Sequence, residues 1–226
     1  MTAKDCTSFQ HDLLRFDPTQ TREGQNPRQI EPALILCEAL SDDVPRTYQV
    51  LGLGRGGTSA ICAILHSLGI PVAIDWKPGL NWPAYCTYED TDLNDSLRVL
   101  EAMPCPTSAD TARLRAAIEK RNAAYSVWGF KTPFASRYQH LIAPLVRNLH
   151  VIYVGRDLVA ILGREVAYGD WLDLGQWWRR TLQLERMLLW WLSEWTGPLV
   201  CVSYERLLKD LSLIHISEPT RLLSIS

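Results

Sequence analysis

The stretch YQVLGLGRGGTSAICAILHSLG, residues 48–69, restricts the fold more than any other part of the chain. It opens as a short apolar run, Tyr48 to Leu53, breaks into a glycine-rich loop, then places Ile61, Ile64, Leu65 and Leu68 at i, i+3, i+4 and i+7. That last spacing is one face of a helix, and Gly69 and Pro71 stop it. A buried strand that runs through a tight loop into an amphipathic helix is a building unit of a parallel sheet. The same alternation continues downstream. PVAID begins a short strand, SVWGFK, HVIYVG and PLVCVSYE read as buried strands, and helices are expected over 92–103 and 107–123. SRYQHLIAPLVRNL reads as a helix containing a proline, RDLVAILGREV as a helix with Asp157 as its N-cap, and 174–195 as a long aromatic helix. The expectation is a three-layer α/β fold, a central parallel sheet flanked by helices.

The 226 residues suit one such domain with a well-buried core. Residues 1 to about 30 are polar and patternless, and EPALILCEAL reads as a short helix, so 1–45 forms a lead-in and 46–210 the domain. Residues 211–226 read differently: Leu211 to Arg221 resembles one reading frame of a transposon-end adapter, a tail foreign to the fold. The domain is then expected to lack its C-terminal part. A net charge of −2 gives no electrostatic case for nucleic acid or an anionic membrane as partner. The six cysteines form no C-x-x-C pair, which points to free thiols and neither a metal site nor a disulfide framework. The first residues lack the long apolar core of a leader, and MLLWWL is far too short to span a bilayer, so a cytoplasmic protein is expected. Nothing in the sequence fixes an oligomeric state.

The loop GLGRGGTS has the outline of the phosphate-binding motif G-x-x-x-x-G-K-[ST], with Thr58 in the lysine position and Arg55 three residues earlier. Backbone N–H groups of Gly54, Arg55, Gly56, Gly57, Thr58 and Ser59 at a helix start would cradle an anion. A glycine-rich turn that binds nothing would share the outline. The lost lysine argues against ATP. A second basic site is VIYVGRD, where Arg156 ends a buried strand and opens a helix, with Arg164 eight residues on. An ion pair of Arg156 with Asp157 or Asp170, and a solvated face for Arg164, are the plain alternatives.

Together these residues resemble the sulfotransferases that use 3′-phosphoadenosine 5′-phosphosulfate (PAPS). Their loop, G-x-x-R-S/G-G-T-S/T, is similar to GLGRGGTS through Gly52, Arg55, Gly57, Thr58 and Ser59. Their arginine-ended strand is similar to VIYVGRDLVAILGRE, and WGFKTP and VSYERLLKDL resemble recurring segments of the bacterial branch. The resemblance spans about Tyr48 to Asp210. It implies a P-loop-type fold, PAPS as co-substrate, no metal, and a small-molecule or glycan acceptor. It also implies that the loop holds the 5′-phosphosulfate, that Arg55 assists the leaving oxygen, and that Arg156 with Arg164 meets the 3′-phosphate. Leu158 departs from the proline common there, and Arg164 stands where many members carry serine.

Sulfuryl transfer needs a base for the acceptor's proton. Glu89 in YCTYEDTDLND is the favoured candidate, with Asp90, His140 and His66 behind it, although an acidic pair opening a helix equally suits capping. Lys131 in FKTP, at a strand end, would face the sulfuryl group, unless it is an ordinary surface lysine. KPGLNWPAYCTYED reads as a loop over a cleft, and the tryptophans of 174–195 as core. An atypical small-molecule kinase and a non-catalytic nucleotide-binding module are the competing readings.

Overall fold

The strand that feeds the glycine loop shows why the chain folds in three layers. In the computed structural model, which describes residues 28–30, 33–37, 45–72, 88–103, 106–132, 135–168 and 174–209, this strand is β3 (Arg46–Leu51). Val50 and Leu51 are both fully buried and point to opposite faces, as successive strand residues must. Val50 packs with Ile61, Cys62 and Leu65 of α1 (Thr58–Ser67) and with Leu207 of α7 (Tyr204–Lys209). Leu51 belongs to the opposite core, with Leu97 of α2 (Thr91–Glu101), Ile118 of α3 (Ala112–Ala124), Ile142 of α4 (Ala135–Ile142) and Leu188 of α6 (Leu174–Glu194). Helices thus cover both faces of the sheet. That is why its strands read as nearly continuous apolar runs.

Beside β3 lie β4 (Val127–Lys131) and β5 (Leu149–Gly155), and β6 (Leu199–Ser203) follows β5; all four are parallel. The remaining helix, α5 (Leu158–Tyr168), follows β5. With β1 (Arg28–Ile30) and β2 (Ala33–Cys37) at one edge, the sheet order is β1-β2-β6-β5-β3-β4. The chain moves to one side of β3 to make β4 and to the other side to make β5 and β6. At such a reversal the loops beyond the strand C-termini part, and a crevice opens between β3 and β5. The glycine loop and Arg156 both lie at that edge.

Several local expectations hold. Asp157 caps α5, its Oδ1 accepting from the Ala160 N–H at 2.8 Å. The proline-containing helix is broken: Tyr138 departs from helical geometry at φ −119°, and Ala143–Leu145 forms a separate 3-10 turn around Pro144. Of PVAID only Pro71 and Val72 are described, and Val72 bridges Gly129 of β4 in parallel. The long aromatic helix puts Trp191 and Trp195 against the core, stacked 5.1 Å apart. Cys62 is buried and Cys201 half-buried, both free thiols. No described helix is long and apolar enough to cross a membrane. Residues 210–226, and with them the tail, lie outside the described residues.

The lead-in is corrected. The helix expected in EPALILCEAL is instead β2 (Ala33–Cys37), antiparallel to β6 and hairpinned to β1 (Arg28–Ile30). Leucine and alanine favour a helix locally, but the open edge of β6 offers backbone partners that five isolated helical residues cannot match. The sheet therefore recruits residues from the segment assigned to the lead-in.

His150 gives the fold a pH dependence. Its ring is buried on β5, stacked on Tyr48 at 5.5 Å, and neither nitrogen has a hydrogen-bond partner. Burial, and secondarily the Arg46 charge, lowers its pKa from 6.5 to about 4. The folded state thus binds this proton more weakly than the unfolded chain. The resulting stability is intact above pH 6.5 and is lost as pH falls toward 4. Between pH 7 and pH 5 the loss due to His150 is about 2 kcal/mol. Urea unfolding at both pH values checks this: His150→Phe, which keeps the stack, should lose that much less than wild type. Equal losses would assign the dependence elsewhere.

Candidate functional site

The glycine loop is shaped by close approaches that exclude side chains. A Cβ on Gly52 would stand 2.8 Å from the Val154 carbonyl oxygen of β5 and 2.9 Å from Thr58 Cγ2. Gly57 has φ +94°, and its Cβ would lie 2.1 Å from the Tyr204 ring, so only glycine serves there. The Gly56 N–H donates to the Leu53 carbonyl at 3.0 Å, tightening the turn. Gly54 borders open space, and exposed Arg55 takes the left-handed conformation at φ 60°. Buried Thr58 begins α1, whose start has neither a side-chain cap nor an acidic residue in its first turn. A helix N-terminus left this way carries partial positive charge and N–H donors directed at the loop.

Beside it, β4 delivers a cation. Lys131 is buried, so it is no surface lysine, and its ammonium donates to Ser59 Oγ at 3.3 Å and Glu89 Oε1 at 3.0 Å. Glu89 is half-buried, and its other oxygen accepts from Asn94 Nδ2 at 3.1 Å. The two acids opening α2 divide their work. Asp90 caps the helix through the Leu93 N–H at 3.1 Å and is locked to buried Arg121, Nε–Oδ2 2.7 Å and Nη2–Oδ1 2.5 Å. This engagement commits Asp90 to the helix cap and to Arg121. Glu89, one residue earlier, is the acid that reaches the loop. His66 is exposed in the last turn of α1, about 10 Å along the axis from Ser59. His140 is exposed on α4, the helix that follows β4.

From β5, Arg156 reaches back over the loop, its Nη1 donating to the Arg55 carbonyl oxygen at 2.5 Å. Its guanidinium carbon lies 4.7 Å from the centre of the Tyr204 ring, and its acidic neighbour is Glu205 at 3.8 Å. Glu205 also accepts from the Asp157 N–H at 3.0 Å. Tyr204 therefore closes a sandwich, with Gly57 on one side and Arg156 stacked upon it. Arg164 is exposed on α5 and is not drawn into this stack by any of these contacts. Tyr204, Glu205, Asn94 and Arg121 were not legible as site residues in the sequence. The one signal was the strand-end position of Tyr204, which follows β6 as Arg156 follows β5.

The chain thus has a three-layer α/β fold of P-loop type, with a glycine loop, an open helix start and the cations Arg55, Lys131 and Arg156 at the carboxyl edge of one parallel sheet. No protein-family model matches the chain, and neither does any curated protein. Similar solved structures include TT1252 from Thermus thermophilus, 15% identical over 78% of this chain and 100% of that one, with TM-score 0.43. A protein of Chloroflexus aurantiacus provisionally named a kinase is 13% identical over 80% and 96%, with TM-score 0.39. The sulfotransferase domain of the Synechococcus PCC 7002 olefin synthase is 15% identical over 93% and 78%, with TM-score 0.41. At such identities the chemistry of the site rests on this chain's own residues.

Proposed function

We propose that the protein is a sulfotransferase that moves a sulfuryl group from PAPS to a hydroxyl or amine of a small-molecule or glycan acceptor. The observation that carries this reading is the Lys131 ammonium bridging Ser59 at the loop helix and the Glu89 carboxylate. A fixed cation and a carboxylate base side by side at an anion loop fit transfer of an anionic group onto a protic acceptor.

The residues present fit the co-substrate. Gly54 to Ser59 and the α1 N-terminus would hold the 5′-phosphosulfate, with Thr58 and Ser59 as hydrogen-bonding partners. Arg156, with Arg164 of α5, would take the 3′-phosphate. Glu89 accepts the acceptor's proton as its oxygen or nitrogen attacks sulfur in line. The bond from sulfur to the 5′-phosphate oxygen breaks, and adenosine 3′,5′-bisphosphate leaves. Lys131 and Arg55 neutralise charge growing on the equatorial and leaving oxygens. Like phosphoryl transfer, the reaction is mainly a matter of positioning and electrostatics.

Thermal unfolding tests the reading. At a hundred times its Kd, adenosine 3′,5′-bisphosphate should stabilise the protein by about 2.7 kcal/mol, and equimolar ATP by far less. Preferential stabilisation by ATP with magnesium-dependent turnover would establish a kinase instead. Bisphosphate binding without any sulfuryl transfer would favour a non-catalytic module, whereas Arg55→Ala lowering turnover without loss of fold would exclude one.

A further inference from the structure

Three described residues other than glycine have positive φ: Arg55, Tyr88 and Asn148. Arg55 belongs to the anion loop, and asparagine tolerates the left-handed region well. Neither reason covers Tyr88, at φ 53°. A bulky side chain there is strained and persists only where its surroundings hold it. Tyr88 immediately precedes Glu89.

Two anchors hold this backbone. On one side the half-buried Tyr88 ring packs against the core that contains Ile61, Cys62 and Leu65 of α1, its centre 5.9 Å from that of the His66 ring. On the other, Asp90 is fixed by the Leu93 N–H and by Arg121. Glu89 lies between them. In an extended chain, neighbouring side chains point to opposite faces. Glu89 and Asp90 obey this: Asp90 turns to Arg121 of α3, the helix whose Leu114 and Ile118 belong to the opposite core. Tyr88 and Glu89 do not, since both lie on the α1 side. The ring meets His66 in the last turn of α1, and the carboxylate meets Lys131, which also donates to Ser59 in the first turn. The left-handed turn breaks the alternation and lets two successive side chains serve one layer.

We propose that Tyr88 is the positioning residue of Glu89: its ring, seated on α1, holds the left-handed turn that presents the carboxylate to Lys131. The inference deepens the sulfotransferase reading and rests on it for the work Glu89 performs, while the ion pair itself is measured without any ligand.

Crystal structures of the unliganded variants read that pair. In Tyr88→Ala and Tyr88→Gly, Glu89 should stand more than about 4 Å from the Lys131 ammonium, and in Tyr88→Phe it should remain paired. Single-turnover hydrolysis of PAPS reads the base, with water as the acceptor. Its oxygen bonds to sulfur, the bond from sulfur to the 5′-phosphate oxygen breaks, and Glu89 takes the proton. Sulfate release should slow about ten- to a hundredfold in the alanine and glycine variants, with the bisphosphate Kd within about twofold of wild type. Tyr88→Phe, which keeps the ring, should restore the rate. Glycine carries no penalty at positive φ, so Tyr88→Gly should resist urea better than Tyr88→Ala and yet release sulfate no faster. A merely structural tyrosine would make rate follow stability. The proposal is overturned if Glu89 stays paired in both small variants, or if Tyr88→Gly regains stability and rate together. If the wild type neither binds the bisphosphate nor releases sulfate, the sulfotransferase reading fails, and the ion pair then decides on Tyr88 by itself.

Discussion

Lys131→Met should lower kcat for sulfuryl transfer by about two to three orders of magnitude while leaving the protein folded and able to bind adenosine 3′,5′-bisphosphate. Methionine matches the length of the lysine stem, so the buried portion at the end of β4 stays filled. What disappears is one ammonium, 3.3 Å from Ser59 and 3.0 Å from Glu89. The bisphosphate carries no sulfuryl group, so a cation that acts on the transferring group contributes little to its binding. The loss should therefore fall on kcat, with product affinity within a few fold of wild type. Stability should change little, because the Glu89 carboxylate left behind is partly solvated and still accepts from Asn94.

Single-turnover rates with labelled donor, alongside bisphosphate titrations, measure both quantities. A kcat drop below tenfold would reduce Lys131 to an ion-pair partner of Glu89. An equal loss of bisphosphate affinity would place it on the 5′-phosphate.

What the sequence disclosed about this site, and what it hid, follows from the range of the interactions. The strand, loop and helix around Gly52 to Ser59 are set by neighbours in sequence: an apolar run, glycines where Val154 and Tyr204 crowd the backbone, then a helical apolar face. Arg156 was legible because strand ends in a parallel sheet converge at one edge whatever the loops do. Glu89 and Asp90 could not be told apart, since either would cap a helix. Their difference comes from Arg121, 31 residues away, which claims Asp90. β2 was misread because its helical composition is local and its pairing with β6 is not. Tyr204, in VSYERLLKDL, has no role that its sequence neighbours reveal. Its function as a wall behind Gly57 requires β6 to be placed beside β5.

The ion pair of Asp90 and Arg121 carries the second large effect. Both side chains are almost wholly buried, at 2% and 1% exposure. Arg121 also donates to the Ala117 carbonyl at 2.7 Å, so the guanidinium is fixed at both ends. Replacing it by leucine leaves a carboxylate sealed from water without a counter-ion, at a cost of about 3–5 kcal/mol. Asp90→Asn keeps an oxygen to cap α2 through Leu93 and leaves Arg121 with partly exposed Asp92, 3.8 Å away, as its acidic neighbour, so its cost should be smaller. Combining the two removes the buried carboxylate's charge together with the guanidinium, and urea unfolding should show the double variant losing clearly less than the sum of the singles. Additive losses would mean the two residues do not act as a unit. The same pair holds the backbone from which Glu89 reaches Lys131. In the double variant, folded but with a looser Glu89, kcat should fall further than bisphosphate affinity. If kcat is unchanged, Glu89 either needs no anchoring at Asp90 or is not the base.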